Sequence, residues 1–261
     1  MIVDVRGHQF DLVAPPQRVI SLVPSLTESL FDLGVGPGVV AVTDFCIFPD
    51  AQVKGLPRIG GTKNPDIDEI RRLAPDLVYV NLEENLKRHA EAISAFAPVF
   101  ATEPKTVPDV IHLLMTLGAI HGRESEARSF AFEIDRLLEN HFGPFTFAVA
   151  IWKDPWMWCG GDTYVSALVT AAGGVNVLEE ERRYPNHNVD RLCQLEPEII
   201  FLPDEPFVFK EADATWLGAT TGSRIVGPFP GHLFTWHGTR TLLGMKLLEN
   251  VLGPIEEDAP S

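Results

Sequence analysis

Three short stretches concentrate the side chains able to touch a metal, a flat ring or an anion. TWHGTR, residues 235–240, sets Trp236, His237 and Arg240 at an expected strand–helix junction. A neutral imidazole such as His237 either ligates cobalt or iron axially or serves as a hydrogen-bonded structural residue. The Arg240 guanidinium offers a planar fork to a carboxylate, amide or phosphate edge. KDPWMWCGGDTY, residues 153–164, packs Trp156 and Trp158 into a Pro/Gly-rich loop after an apolar strand. Loops run over surfaces, so two large rings there suit a ligand wall better than a core. TDFCIFP, residues 43–49, carries Phe45 and Phe48, whose faces suit a planar macrocycle. Cys46 between them either ligates a metal or fills a small apolar site. Ser25 stands where a strand turns into a helix, beside first-turn amides that suit a polar ligand edge. No GxSxG elbow surrounds it, so it is not read as a nucleophile.

The bulk composition narrows the partners. The 261 residues are 45% hydrophobic and 22% charged, the balance of a globular chain with a sizeable core. A formal net charge of −15 leaves no Lys/Arg surplus to neutralise phosphates, which argues against nucleic acid and favours a monodisperse monomer. Three widely spaced cysteines without a CxxC pair make neither a disulfide framework nor a zinc knuckle. No apolar run is long enough to span a bilayer. The opening MIVDVRGHQF interrupts with Asp4, Arg6 and His8 the apolar core that a signal peptide needs, and no lipobox follows. As written, the chain either works in the cytoplasm or has had a leader replaced. GVGPG follows a helix and so is no dinucleotide fingerprint, and Walker, HExxH and EF-hand patterns are absent.

These stretches need elements to position them, and the chain alternates strand and helix. RVISLV leads into SLTE, where Ser25 is expected to cap a helix and Glu28 to reach back in a capping box. Strands follow at Val39–Thr43, Leu77–Val80 and 98–101, with helices at Ile67–Ala74 and Glu84–Phe96 between them. Uninterrupted apolar strands separated by helices predict βαβ crossovers and parallel sheets. Two middle helices are expected, Pro108–Ile120 and, after Gly122, Arg123–His141. Nineteen helical residues would span roughly 28 Å. The alternation resumes with strand FTFAVAIW, helices Tyr164–Ala172 and Val189–Leu195, strands Ile199–Leu202 and Leu233–Trp236, and a closing helix from about Thr239.

IDEIRRLAPDLVYV returns as VDRLCQLEPEIIFL, Ile67 falling on Val189 at an offset of 122 residues. Only two copies exist, too far apart for a solenoid. The expected architecture is therefore α/β, with two lobes of mostly parallel sheet flanked by helices and joined by one long backbone helix. The boundaries are an N-terminal lobe 1–104, linking helices 105–142, a C-terminal lobe 143–255 and a disordered tail 256–261. Ligands of open α/β sheets lie beyond the carboxyl ends of the strands.

RVISLVPSLTESLFDLG, TDFCIFP, IGGTKNPDIDEIRRLAPDLVYV and TWHGTRTLLGMKLLENVL together resemble the helical-backbone substrate-binding proteins of ABC importers, over nearly the whole chain. Within that family the resemblance is strongest to the cobalamin (corrinoid) receptors, whose relatives take haem or ferric siderophores. It implies a non-enzymatic protein of the periplasm or cell surface, gripping a metal chelate between its lobes and passing it to a permease. No catalytic cofactor is implied, and cobalamin is cargo. The resemblance also implies an aromatic wall at Tyr184 and a polar rim from Ser25, Lys63 and Arg240. Thr62 and Lys63 stand where an aromatic residue is expected, and Lys63 favours a more anionic chelate. Receptors of this family dock on permease arginines through one glutamate per lobe; Glu83 and Glu205, one repeat apart, fit that role. The rival expectations are a cytosolic corrinoid carrier and a metal-dependent enzyme using Cys46 or His237.

Overall fold

The computed structural model describes residues 2–139 and 142–253, and the expected tail 256–261 lies outside them. The chain divides into two compact units. One comprises 1–104, 108–132 and 237–240; the other comprises 105–107, 133–236 and 241–261.

Unit 1 begins with a short antiparallel hairpin, β1 (Ile2–Val3) with β2 (Gln9–Phe10). Then come β3 (Val19–Ser21), α1 (Pro24–Asp32), β4 (Val39–Val42) and the single turn α2 (Asp50–Val53). A second small hairpin, β5 (Gly60–Gly61) with β6 (Asn64–Pro65), precedes α3 (Ile67–Arg72), β7 (Leu77–Asn81), α4 (Lys87–Ser94) and β8 (Val99–Thr102). The main sheet has the order β4-β3-β7-β8 and is parallel throughout. Side chains along β3 and β7 sort by the strand period of two. Val19, Leu77 and Tyr79 join one apolar cluster; Ile20, Val78 and Val80 join the other. Both faces are thus covered, which is why the sequence reads as an unbroken apolar run.

Two helices of 15 residues each follow, α5 (Val107–His121) and α6 (Glu124–Leu138), separated by Gly122 at φ +64°. The second starts within a residue of the expected Arg123 and is shorter than expected, while 140–141 lie outside the described residues.

Unit 2 contains β9 (Phe145–Trp152), β10 (Met157–Trp158), α7 (Tyr164–Ala171), β11 (Gly174–Asn176), α8 (Val189–Leu195) and β12 (Ile199–Pro203). It continues with α9 (Glu211–Thr221), β13 (Arg224–Phe229), α10 (His232–Thr235) and α11 (Thr241–Leu252). Strand β9 pairs in parallel with β11 and β12, β12 pairs in parallel with β13, and β10 turns back antiparallel on the last part of β9. The parallel order β11-β9-β12-β13 repeats β4-β3-β7-β8 of unit 1.

The repeated segment matches down to its turns. Asp66 caps α3 by accepting from the Glu69 N–H, and Asn188 caps α8 by accepting from the Arg191 N–H, again one repeat apart. Both helices are left through a non-glycine residue in the left-handed region, Ala74 at φ +44° and Glu196 at φ +49°. A proline follows each, so the helix cannot continue.

Three expectations are corrected. Leu233–Trp236 is not a strand: the Phe234 and Thr235 N–H groups donate to the Gly231 carbonyl and close the turn α10. Four apolar residues carry too little periodicity to tell the two apart. The strand is β13, which the sequence hid behind Gly227-Pro228; at a sheet edge a proline costs no ladder bond. Third, Ser25 is no cap. Pro24 occupies the first helical position, so Val23 becomes the N-cap and makes no side-chain bond.

Candidate functional site

The unit 1 residues singled out in the sequence gather around α1 and the carboxyl ends of β3, β4 and β7. Residues 237–240, from the far end of the chain, form a strap lying against α1. The Thr239 N–H donates to Ser29 Oγ at 3.1 Å, and Thr239 Oγ1 donates to Asp32 Oδ2 at 2.5 Å. Arg240 Nε donates to Glu28 Oε2 at 2.6 Å, and its Nη2 donates to Oε1. Gly238 sits at φ +93°, and a Cβ there would collide with Ser29 Oγ, so only glycine permits this approach. Burial pushes the Glu28 carboxyl above its ordinary range, and the Arg240 guanidinium works against that shift. Glu28, expected to complete a capping box, instead anchors the strap.

This geometry redefines two expected ligand contacts. Arg240 is buried, its charge taken up by Glu28 and its guanidinium 4.1 Å over the Phe48 ring, rather than offered at a rim. His237 is 5% exposed, with Nε2 at 3.5 Å from Ser25 Oγ, the outer limit of a hydrogen bond. Burial depresses its pKa to about 4, so the ring is neutral at pH 7 but is not presented as an axial ligand. Cys46 is also corrected. Its thiol is fully buried, 3.2 Å from Thr27 Oγ1 and 3.1 Å from Thr43 Oγ1, and burial raises its pKa, so a reactive thiolate is not available.

What unit 1 does present is apolar. Phe45 is 60% exposed beside Gly61, and Ile47 and Leu82 are exposed as well. Lys63 is exposed with Nζ donating to the Glu83 carbonyl at 2.6 Å, and half-buried Thr62 accepts from Asn85 Nδ2 through its carbonyl. Asn85 Nδ2 also donates to the Leu22 carbonyl, tying the β5–β6 hairpin and the loop after β7 to the end of β3. Glu83 is exposed at the end of β7.

Unit 2 divides the expected tryptophans. Trp158 is fully buried, its Nε1 donating to the His187 carbonyl at 2.9 Å, and is a core residue. It lies in β10, paired to β9; that short hairpin strand, read from sequence as loop, turns it inward. Trp156 is half-buried and stacks on Trp158, Phe209 and Trp216 with ring planes within 17°. Trp236 is buried against His232. Tyr184 stays open at 37% exposure with the Arg183 guanidinium 5.6 Å from its ring. Half-buried Glu205 follows β12 and accepts from Thr235 Oγ1 at 3.3 Å. Sequence reasoning missed Trp152, 39% exposed at the carboxyl end of β9 and edge-on to Phe207. Its position as the last residue of an apolar strand, where the chain leaves the sheet, was the available signal.

Among the described residues no group of three or more His, Cys, Asp or Glu could hold a metal ion, and no helix is long and apolar enough to cross a membrane. The site offers hydrophobic faces and a few polar groups at strand ends, an arrangement suited to holding a ligand.

Comparison with known proteins bears on the fold. Residues 19–141 match the family described as periplasmic binding protein. A vitamin B12-binding protein of Pectobacterium carotovorum is 25% identical over 213 residues, covering 78% of this chain and 77% of that protein. The fold superposes on the periplasmic vitamin B12 binding protein BtuF of Vibrio cholerae with a TM-score of 0.76 at 21% identity, covering 91% of this chain and 97% of that one. It superposes equally on a periplasmic haem binding protein of Pseudomonas aeruginosa, with a TM-score of 0.77 at 18% identity, covering 94% and 96%. Residues 19–141 are thus similar to the periplasmic binding proteins, and the chain has the fold of the helical-backbone substrate-binding proteins.

Proposed function

We propose that this chain is a receptor that captures a corrinoid, cobalamin or a near relative, for delivery to an ABC-importer permease. The observation that carries the reading is the exposed Phe45, with Ile47 beside it, at the carboxyl ends of the unit 1 strands. Relatives matched along 77% and 70% of their length are named for vitamin B12 binding. In unit 1 the ligand contacts are Phe45, Ile47, Thr62 and Lys63; in unit 2 they are Trp152 and Tyr184. The withdrawal of His237 and Cys46 from the surface favours a chelate whose metal arrives with its own ligands.

Covering about 80 Å² of Phe45 contributes roughly 2 kcal/mol, so Phe45→Ala should weaken capture about thirtyfold. Calorimetric titration of cyanocobalamin into the two proteins tests this, and equal affinities would sink it. Glu83 and Glu205 are the proposed permease contacts; reversing both charges should abolish receptor-stimulated transport, and unchanged transport would rule the pair out.

Tyr184, 37% exposed, supports a second reading, haem binding, because haem iron accepts a tyrosinate as axial ligand. Under that reading haemin binds with a charge-transfer band that Tyr184→Phe removes.

A further inference from the structure

The loop from Thr43 to Val53 alternates its side chains. Phe45 and Ile47 point outward and are exposed; Cys46 between them is fully buried, and Phe48 is half-buried. The chain turns at Asp44 and Phe45, with the Cys46 N–H donating to the Thr43 carbonyl, so the outward stance of Phe45 depends on what holds Cys46 and Phe48 in. Three ties do so. The Cys46 thiol is lodged between the Thr27 and Thr43 hydroxyls. Arg58 Nη1 donates to the carbonyls of Thr43 at 2.6 Å and Cys46 at 2.9 Å, while Nη2 donates to that of Val53 at 3.2 Å. Arg240, held by Glu28, lays its guanidinium over Phe48.

Two apolar side chains gain nothing by facing water, and an unrestrained loop would fold them inward. Holding them out has a use when something covers them, because a preformed wall spares the ligand the cost of ordering it. We infer that Arg58 and Arg240 are positioning residues, fixing this loop so that Phe45 and Ile47 meet the ligand already in place. The inference rests on the capture reading above. It gives Arg240 a role through Phe48 rather than a direct contact with the ligand.

Cys46 reports the loop directly. The test measures iodoacetamide alkylation of each cysteine by peptide mass mapping in the wild type, Arg58→Met, Phe48→Leu and Phe48→Tyr. Cyanocobalamin affinity is measured on the same proteins. Hydrogen exchange on β7 reports unfolding of unit 1, buried Cys159 reports unfolding of unit 2, and half-buried Cys193 serves as the accessible reference. The expected result is at least tenfold faster Cys46 alkylation in Arg58→Met and Phe48→Leu, with the β7 amides and Cys159 still protected. Phe48→Tyr, which keeps the ring face, holds the wild-type rate. Affinity falls threefold or more in the two loosened variants and not in Phe48→Tyr. The inference is overturned if Cys46 keeps its wild-type rate in both, or if Cys46 opens while affinity stays unchanged. A wild type that binds no chelate ends the capture reading and this inference with it; the alkylation rates then show separately whether the ties exist.

Discussion

Acid should unfold unit 1 through two histidines that its packing keeps neutral. His121, in α5, is buried with Nε2 at 2.8 Å from the Tyr79 hydroxyl, and His237 is buried in the strap. Desolvation lowers each pKa from 6.5 to about 4. In the unfolded chain both titrate near 6.5, so between these values the unfolded state binds protons that the folded state refuses. Stability is therefore complete above pH 6.5 and is lost as pH falls through that value, levelling off below about 4. At about 1.4 kcal/mol per pH decade the full gap is worth about 3 kcal/mol for each ring, of which about 1 is gone at pH 5.5 and 2 to 3 at pH 4.5. That is a large share of the 5–15 kcal/mol typical of a domain. Glu28, whose carboxyl is raised by burial, opposes the trend at the acid end, so the comparison is best made by difference. His121→Gln keeps a polar partner for Tyr79 and removes one titration. Urea unfolding by far-ultraviolet circular dichroism at pH 7.5, 5.5 and 4.5 should show the wild type losing about 2 to 3 kcal/mol more than the variant across the series. Parallel slopes for the two proteins, or a His121 imidazole resonance titrating near 6.5 in the folded chain, would refute the reasoning. Tryptophan fluorescence cannot serve here, because all five tryptophans belong to unit 2.

Arg240→Met strands the Glu28 carboxylate in the protein interior and should cost about 3–5 kcal/mol in urea unfolding, while adding Glu28→Gln should return a substantial part. A double variant no more stable than Arg240→Met would deny that the two act as a pair. Ala74→Gly and Glu196→Gly each relieve a left-handed residue. The relief of about 1–2 kcal/mol less the glycine entropy should leave roughly 0.5–1 kcal/mol of stabilisation apiece. Hydrogen exchange on β7 and β12 would read each unit separately. Trp158→Ala should destabilise by about 3–5 kcal/mol as a core truncation. Trp152→Ala should leave stability within about 1 kcal/mol and weaken ligand binding instead; the reverse pattern would exchange their roles.

The fold was legible wherever a local signal was strong. The α3–β7 and α8–β12 units announced themselves twice, and strand β9 and helix α8 run between the residues that their apolar patterns predict. β13 and α9 were missed because Gly227-Pro228 disguises one and a Gly- and Thr-rich stretch, GATTGS, weakens the other. The site was less legible, because side-chain type says what a residue can touch but not which way it faces. Cys46 and Phe45 are adjacent in one loop, yet the first is buried and the second exposed. Arg240 resembled a ligand contact until Glu28 was found at its guanidinium, a partner 212 positions away that no local pattern reveals. Trp158 read as surface because its two-residue strand is too short to show a period.

The central claim is that these strand-end aromatic residues serve to hold a corrinoid. Calorimetric titration of the purified chain with cyanocobalamin, cobinamide, haemin and a ferric siderophore tests it most directly. Saturable one-to-one binding of a corrinoid is expected, with a dissociation constant of about 1 μM or tighter, about −8 kcal/mol. Binding of haemin or the siderophore with no response to either corrinoid would contradict it.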